Sequence, residues 1–313
     1  MQGGCANCDK GASLPSALIG VFLIASFASR TEAAPLVVKD DTGASITLAA
    51  PATRIVSLAP GATELLFAAG AGAKVLATVQ ASDEPVAAKK IPRIGDANKI
   101  DFNRLQALKP DVVVVWRDLT NKLILDSLAK LKMSVYVVDV REFSEFADSV
   151  RRLGALAGTG AAAETTAKAL AKQATDLEKK KFKGVPLRVF YMVWDVPLYT
   201  VGGHHLISEA LAHCGARNIF DDIDFASPVV EFKKVVERNP ELILMSTTPI
   251  TARDWRERWA PYGTVRAVEA KQVITFEDTR LDRMGPTAFE ALPGLCEKVA
   301  AARAEIQSRK FSN

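Results

Sequence analysis

In residues 160–182 the apolar positions fall at Ala163, Ala167, Leu170, Ala174 and Leu177, in steps that alternate four and three. That spacing draws one apolar stripe down a helix. Glu164, Lys168, Lys172, Asp176 and a lysine run at 179–181 occupy its other faces, and good helix formers dominate throughout. Gly184 and Pro186 follow, a Gly and then a Pro past a helix end. At about 1.5 Å per residue such a helix spans the width of a small domain.

The chain on either side of this helix carries the same pattern twice. Thr63-Glu64-Leu65-Leu66, with Gly70 six residues after the acid, is matched by Ser208-Glu209-Ala210-Leu211 with Gly215. Asp101-Phe102 leads over nine residues to Pro110-Asp111 and the apolar run 112–115. Glu231-Phe232 leads over nine to Pro240-Glu241 and the run 242–245. Continuous apolar runs of this length fit strands buried on both faces, and they alternate with helical segments, which argues for parallel sheets. The expectation is an α/β protein with two Rossmann-like lobes joined by one long backbone helix. Its parts are a first lobe over 36–142, connecting helices over 143–184 and a second lobe over 185–313. Residues 36–50 predict an edge hairpin turning at Asp41-Thr42-Gly43, and 287–306 predict a terminal helix broken near Pro293-Gly294.

Composition adds little to this picture and removes several classes. With 313 residues, 49% of them hydrophobic, the chain can build two real cores. A net charge of +4 with no basic stripe and interleaved aromatics argues against nucleic-acid binding. The apolar stretch 14–28, ending near Thr31-Glu32-Ala33, has the form of an export signal over residues 1–33. Cys5 and Cys8 would leave with it. Cys214 and Cys296 remain, and an exported protein with two cysteines ordinarily pairs them. No G-x-S-x-G elbow, HExxH or phosphate-binding P-loop motif is present, so an enzyme is not expected. Three His, at 204, 205 and 213, are too few and too local for a metal carrier, and His204-His205 read as a solvated helix cap.

The segments RIVSLAPGATELLFAAG, FNRLQALKPDVVVVW, PLYTVGGHHLISEALAHCGARNIF and DRMGPTAFEAL resemble the periplasmic substrate-binding proteins of iron-complex and cobalamin importers. The likeness runs from about Val37 to Ala302. VVWR around Trp116 and HCG with NIF around Cys214 resemble the cobalamin-binding branch in particular. This resemblance implies a periplasmic monomer with no cofactor of its own. Cobalamin or a related corrinoid would be its transported ligand, and an ABC permease in the inner membrane its partner. A ferric siderophore or haem is the alternative cargo.

The resemblance also implies residue roles. Trp116 and Tyr199 fall on aromatic walls and are expected to sandwich the ring. Pro60 and Gly61, Trp194, Phe225 and the rim segment Thr279, Arg280, Leu281, Asp282 and Arg283 complete the expected ligand site at the carboxyl ends of strands. Ala81, Ala97 and Ser227 stand where that branch has further aromatics, with Trp194 and Phe225 placed to compensate. The permease-docking positions read Asn103 and Lys233, each with an acid two residues earlier, Asp101 and Glu231. The branch's disulfide maps onto Cys214 and Cys296. The continuous joining helix implies little lobe closure on binding.

Overall fold

The computed structural model describes residues 34–96, 99–246 and 255–312. Residues 1–33, expected from the sequence to be an export signal, and Ala97 lie outside these. The chain begins with the predicted hairpin, β1 (Leu36–Lys39) against β2 (Ser45–Leu48), antiparallel with Lys39 opposite Ser45. Asp40 closes the turn by accepting hydrogen bonds from the amides of Thr42 and Ala44.

The first lobe holds β3 (Ile55–Ser57), β4 (Val75–Ala77), β5 (Val112–Trp116) and β6 (Val135–Val138), all parallel, in spatial order β4-β3-β5-β6. The second holds β7 (Leu187–Met192), β8 (Ala216–Asn218), β9 (Leu242–Ser246) and β10 (Val273–Phe276), parallel in the order β10-β9-β7-β8. Numbered within each lobe, both sheets therefore run 2-1-3-4. The repeat in the sequence is a repeat of topology. Strand β8 is the one the pattern did not predict: Ala216-Arg217-Asn218 carries no apolar run and is recruited by pairing with Leu187, Arg188 and Val189.

The helices repeat as well. Helix α1 (Pro60–Ala68) contains the first Thr-Glu-Leu-Leu motif and α6 (Leu206–His213) its counterpart. Gly70 and Gly215, the matched glycines beyond them, both take a left-handed conformation, φ +75° and +79°, which ends each helix. Helices α2 (Phe102–Ala107) and α7 (Phe232–Arg238) share one exposure pattern from residues 101–105 and 231–235, with Leu105 and Val235 as the buried anchors, and α3 (Lys122–Lys130) links β5 to β6.

Between the lobes, α4 (Phe146–Ala157) turns at left-handed Gly158 into α5 (Gly160–Lys179), the backbone helix. It ends at Lys179, three residues short of the predicted end; Phe182 leaves the helix to donate its amide to the His213 carbonyl and to lay its ring beside Gly215 and under the Arg303 guanidinium. Ala163, Ala167 and Leu170 of the stripe are buried, and Ala174 and Leu177 pack against the same core. The C-terminal helix Ala288–Ser312 runs through Pro293 without the predicted break. Pro293 forfeits one backbone hydrogen bond, but Ala291, Leu292, Leu295 and Val299 on either side are buried, and that packing holds the helix together.

Alternation along the strands divides the apolar residues among three clusters. Val112, Val114 and Trp116 of β5 and Leu187, Val189 and Tyr191 of β7 join one core with the connecting helices. Val113 and Val115 face a cluster of the first lobe alone, and Phe190 and Met192 one of the second. The lobes thus share a continuous core and are not bodies hung on a single hinge. Cys214 and Cys296 are disulfide-bonded, tying the end of α6 to the C-terminal helix.

Candidate functional site

A 2-1-3-4 parallel sheet has its switch point between its first and third strands, where the crossovers leave in opposite directions and a crevice opens past the carboxyl ends. In the first lobe that point lies between β3, followed by Pro60-Gly61, and β5, which ends at Trp116. In the second it lies between β7, followed by Trp194, and β9, which ends at Ser246. Residues 247–254 lie outside the described residues.

Trp116 is only 3% exposed and belongs to the shared core. It lies against Gly61, where a Cβ would come within 2.8 Å of its ring and 2.5 Å of the Arg283 carbonyl oxygen. The void lined by Trp116, Asp118, Arg141, His204, Ala226 and Met284 measures about 10 Å³, room for no more than a water. A flat macrocycle does not lie against Trp116 in this arrangement. The expected sandwich of Trp116 and Tyr199 is not formed in this structure, where Trp116 is buried beside the backbone of Arg283-Met284.

The second lobe presents what Trp116 does not. Residues 198–203 run antiparallel to 223–230: Tyr199 bridges to Trp194 on one side and Val229 on the other, Thr200 N–H donates to Pro228 and Gly202 N–H to Ala226. On this ladder Trp194 is 55% exposed, Val196 64%, Phe225 63% and Val229 55%. Trp194 stands edge-on to buried Trp255, which fixes its ring. Tyr199 itself is half-buried. Four large apolar side chains left in water on adjoining loops make a patch of the kind that ligands or partners cover.

The rim segment divides sharply. Leu281 is wholly buried in the shared core and has no surface for a ligand. The guanidinium of Arg280 is taken by Asp278 and Glu290. Asp282 accepts from Tyr191 Oη at 2.8 Å and from Ser246 Oγ, which joins the ends of β7 and β9 to the rim; burial raises its pKa. Thr279 is exposed and accepts from Arg283 Nη1 at 2.8 Å. Arg283 is the rim side chain that reaches the first lobe, 3.8 Å from Glu64 and 3.9 Å from Glu84. Glu64 is buried and accepts from both the amide and the hydroxyl of Thr287, at 3.1 and 2.6 Å. Its pKa is raised, first by burial. Glu64 was visible in the sequence only as half of a repeated motif.

His205 is the N-cap of α6 as expected, its Nδ1 accepting from Ile207 N–H at 3.1 Å, but it is buried and not solvated. Burial, and then the charge of Arg141, push its pKa down to about 4. His204 alone of the three imidazoles is exposed. Among the described residues no cluster of His, Cys, Asp and Glu is placed to hold a metal, and no helix is long and apolar enough to cross a membrane.

The family profile of periplasmic binding proteins matches residues 55–278. The chain belongs to that family. A vitamin B12-binding protein of Yersinia pseudotuberculosis is 31% identical over 250 residues, covering 80% of this chain and 87% of the relative. The crystal structure of the periplasmic vitamin B12 binding protein of Vibrio cholerae superposes with a TM-score of 0.70 at 28% identity, over 81% of this chain and 98% of that one. A periplasmic haem-binding protein of Roseiflexus, at 20% identity and a TM-score of 0.64, shares the fold. The family is one of substrate binders and not of enzymes, and it places the chain in the periplasm.

Proposed function

We propose that this protein is the substrate-binding component of an ABC importer and captures cobalamin or a related corrinoid at the mouth between its lobes. One observation carries the reading: Trp194, Val196, Phe225 and Val229 are all exposed on the paired segments 194–199 and 225–230 beyond the second sheet. A corrin is a broad apolar plate fringed with amides, and such a plate needs an aromatic wall with polar groups at its edge. Arg283 and Thr279 supply that edge. Relatives at 31% identity that bind vitamin B12 support the choice of ligand.

Delivery to the permease would use the lobe tops. Asn103 and Lys233 are exposed at matched positions, and Asp101 and Glu231 stand at the N-caps before them. The Asp101 carboxylate accepts from Arg104 N–H at 2.9 Å, whereas Glu231 makes no capping bond and keeps its carboxylate for a partner. Residues 1–33 would carry the chain across the inner membrane.

Exposed His204 favours haem as the second reading, since an imidazole can ligate its iron. Titration of the purified protein separates the two. Tight, stoichiometric binding of cyanocobalamin with none of haem supports the corrinoid. A haem complex whose Soret band is lost in His204→Ala would replace that reading.

A further inference from the structure

The matched glutamates of the two repeats make matched bonds across the molecule. Glu64, on the first lobe's α1, accepts from the amide of Thr287, which opens the helix after the second sheet. Glu209, on the second lobe's α6, accepts at 2.7 Å from the amide of Phe143, which opens the helical segment after the first sheet. Each lobe thus caps a helical segment that lies beyond the other lobe's fourth strand, the short helix Arg280–Arg283 intervening in the second lobe. Each acid also faces a basic group: Glu64 lies 3.8 Å from Arg283, and Glu209 lies 3.4 Å from His213. The space around the first tie is closed. A Cβ at Gly285 would strike the Glu64 carboxylate, and one at Gly61 the Arg283 carbonyl.

We propose that Glu64 is a positioning residue of the ligand site: it holds the second lobe's Arg283 and the 285–287 turn against the first lobe, and so sets the width of the mouth. This rests on the corrinoid reading for its ligand, but its geometry stands without it. Glu64 Oε1 and Arg283 Nε are buried, face each other and have no hydrogen-bond partner, so charge attraction is what relates them. The charged groups around Glu64 are Arg283 and Glu84, the second of which also faces Arg283. Burial raises the Glu64 pKa. Acidification therefore neutralises Glu64 earlier than an ordinary carboxylate and frees Arg283. Glu209 is the internal control, since it ties the same lobes through Phe143 and touches none of the rim residues.

The test uses the mature protein with spin labels on cysteines placed at Val86 and Val196, exposed residues of opposite lobes, and needs no ligand. In the parent the inter-label distance should lengthen as the pH falls from 8 toward the ordinary carboxylate value of 4.5, where a carboxyl with a raised pKa is already mostly protonated. In Glu64→Gln it should be long at both pH values, and in Glu209→Gln it should follow the parent. Binding of cyanocobalamin is read in parallel on the unlabelled proteins, which keep Val196. Glu64→Gln should bind roughly tenfold more weakly at pH 8 with no further loss toward pH 4.5, whereas Glu209→Gln keeps the parent's pH profile. A distance in Glu64→Gln that tracks the parent, or an equal response in both variants, overturns the proposal. A parent whose distance responds as stated but which binds no corrinoid overturns the ligand and leaves the tie standing.

Discussion

Trp194 and Trp116 should respond oppositely to truncation, because one is surface and the other core. Trp194 leaves 55% of its surface in water. Covering that by a ligand removes roughly 130 Å², about 3 kcal/mol at ~25 cal/mol per Å². Allowing for incomplete cover and for ordering of the loop, Trp194→Ala should cost about 2 kcal/mol of binding, roughly 30-fold in Kd. Phe225, 63% exposed, should behave alike. Neither change should move the denaturation midpoint much, since each ring contributes most of its area to solvent. Trp116→Ala removes a ring that is 3% exposed and should destabilise the fold by about 3–5 kcal/mol. Calorimetric titration with cyanocobalamin and urea denaturation on the same three variants give both quantities. Full cyanocobalamin affinity in both Trp194→Ala and Phe225→Ala would refute the wall assignment. A Trp116→Ala protein of unchanged stability that binds weakly would restore the sandwich.

Three further outcomes are expected. His205 has a folded pKa of about 4, below its unfolded value of 6.5, so between these the unfolded chain binds the proton and the folded one does not. Stability is then fully present above pH 6.5 and falls on acidification, by about 2 kcal/mol from this group at pH 5. His205→Asn, which can still cap α6 but cannot protonate, should remove that part of the pH dependence in urea titrations at pH 7.5 and 5, and a slope equal to the parent's would contradict it. Reducing Cys214–Cys296, which closes a loop with a sequence separation of 82 residues, should cost about 4.5 kcal/mol in the chain-entropy description; an unchanged urea midpoint in Cys214→Ser/Cys296→Ser would argue against it. Asp101→Lys with Glu231→Lys should leave ligand binding intact and abolish transport by reversing the docking charge, whereas surviving uptake would reduce both acids to helix caps.

Residue pattern alone determined the two α/β lobes, the backbone helix and the matched positions at Glu64 and Glu209. Those features depend on periodicity and on short-range rules, such as a Gly past a helix end or an apolar run in a doubly covered strand, and such rules are written in consecutive residues. The sequence also marked Trp194 and Phe225 as ligand-site candidates, Trp194 by its place past a strand end and both as substitutes for aromatics missing elsewhere. Only the tertiary structure decided which aromatic faces water. Trp116 and Trp194 both stand at the carboxyl ends of strands, and nothing local distinguishes them. Trp116 is buried where the backbone at 283–284 arrives beside it from the far end of the chain, whereas Trp194 meets Trp255 edge-on and leaves 55% of its surface exposed. The same holds for the charges. Leu281, Asp282 and Arg283 are neighbours in sequence, yet one is core, one is spent on Tyr191 and Ser246, and one reaches across to Glu64. Burial and long-range pairing set those roles, and both depend on which distant segment arrives to cover a side chain.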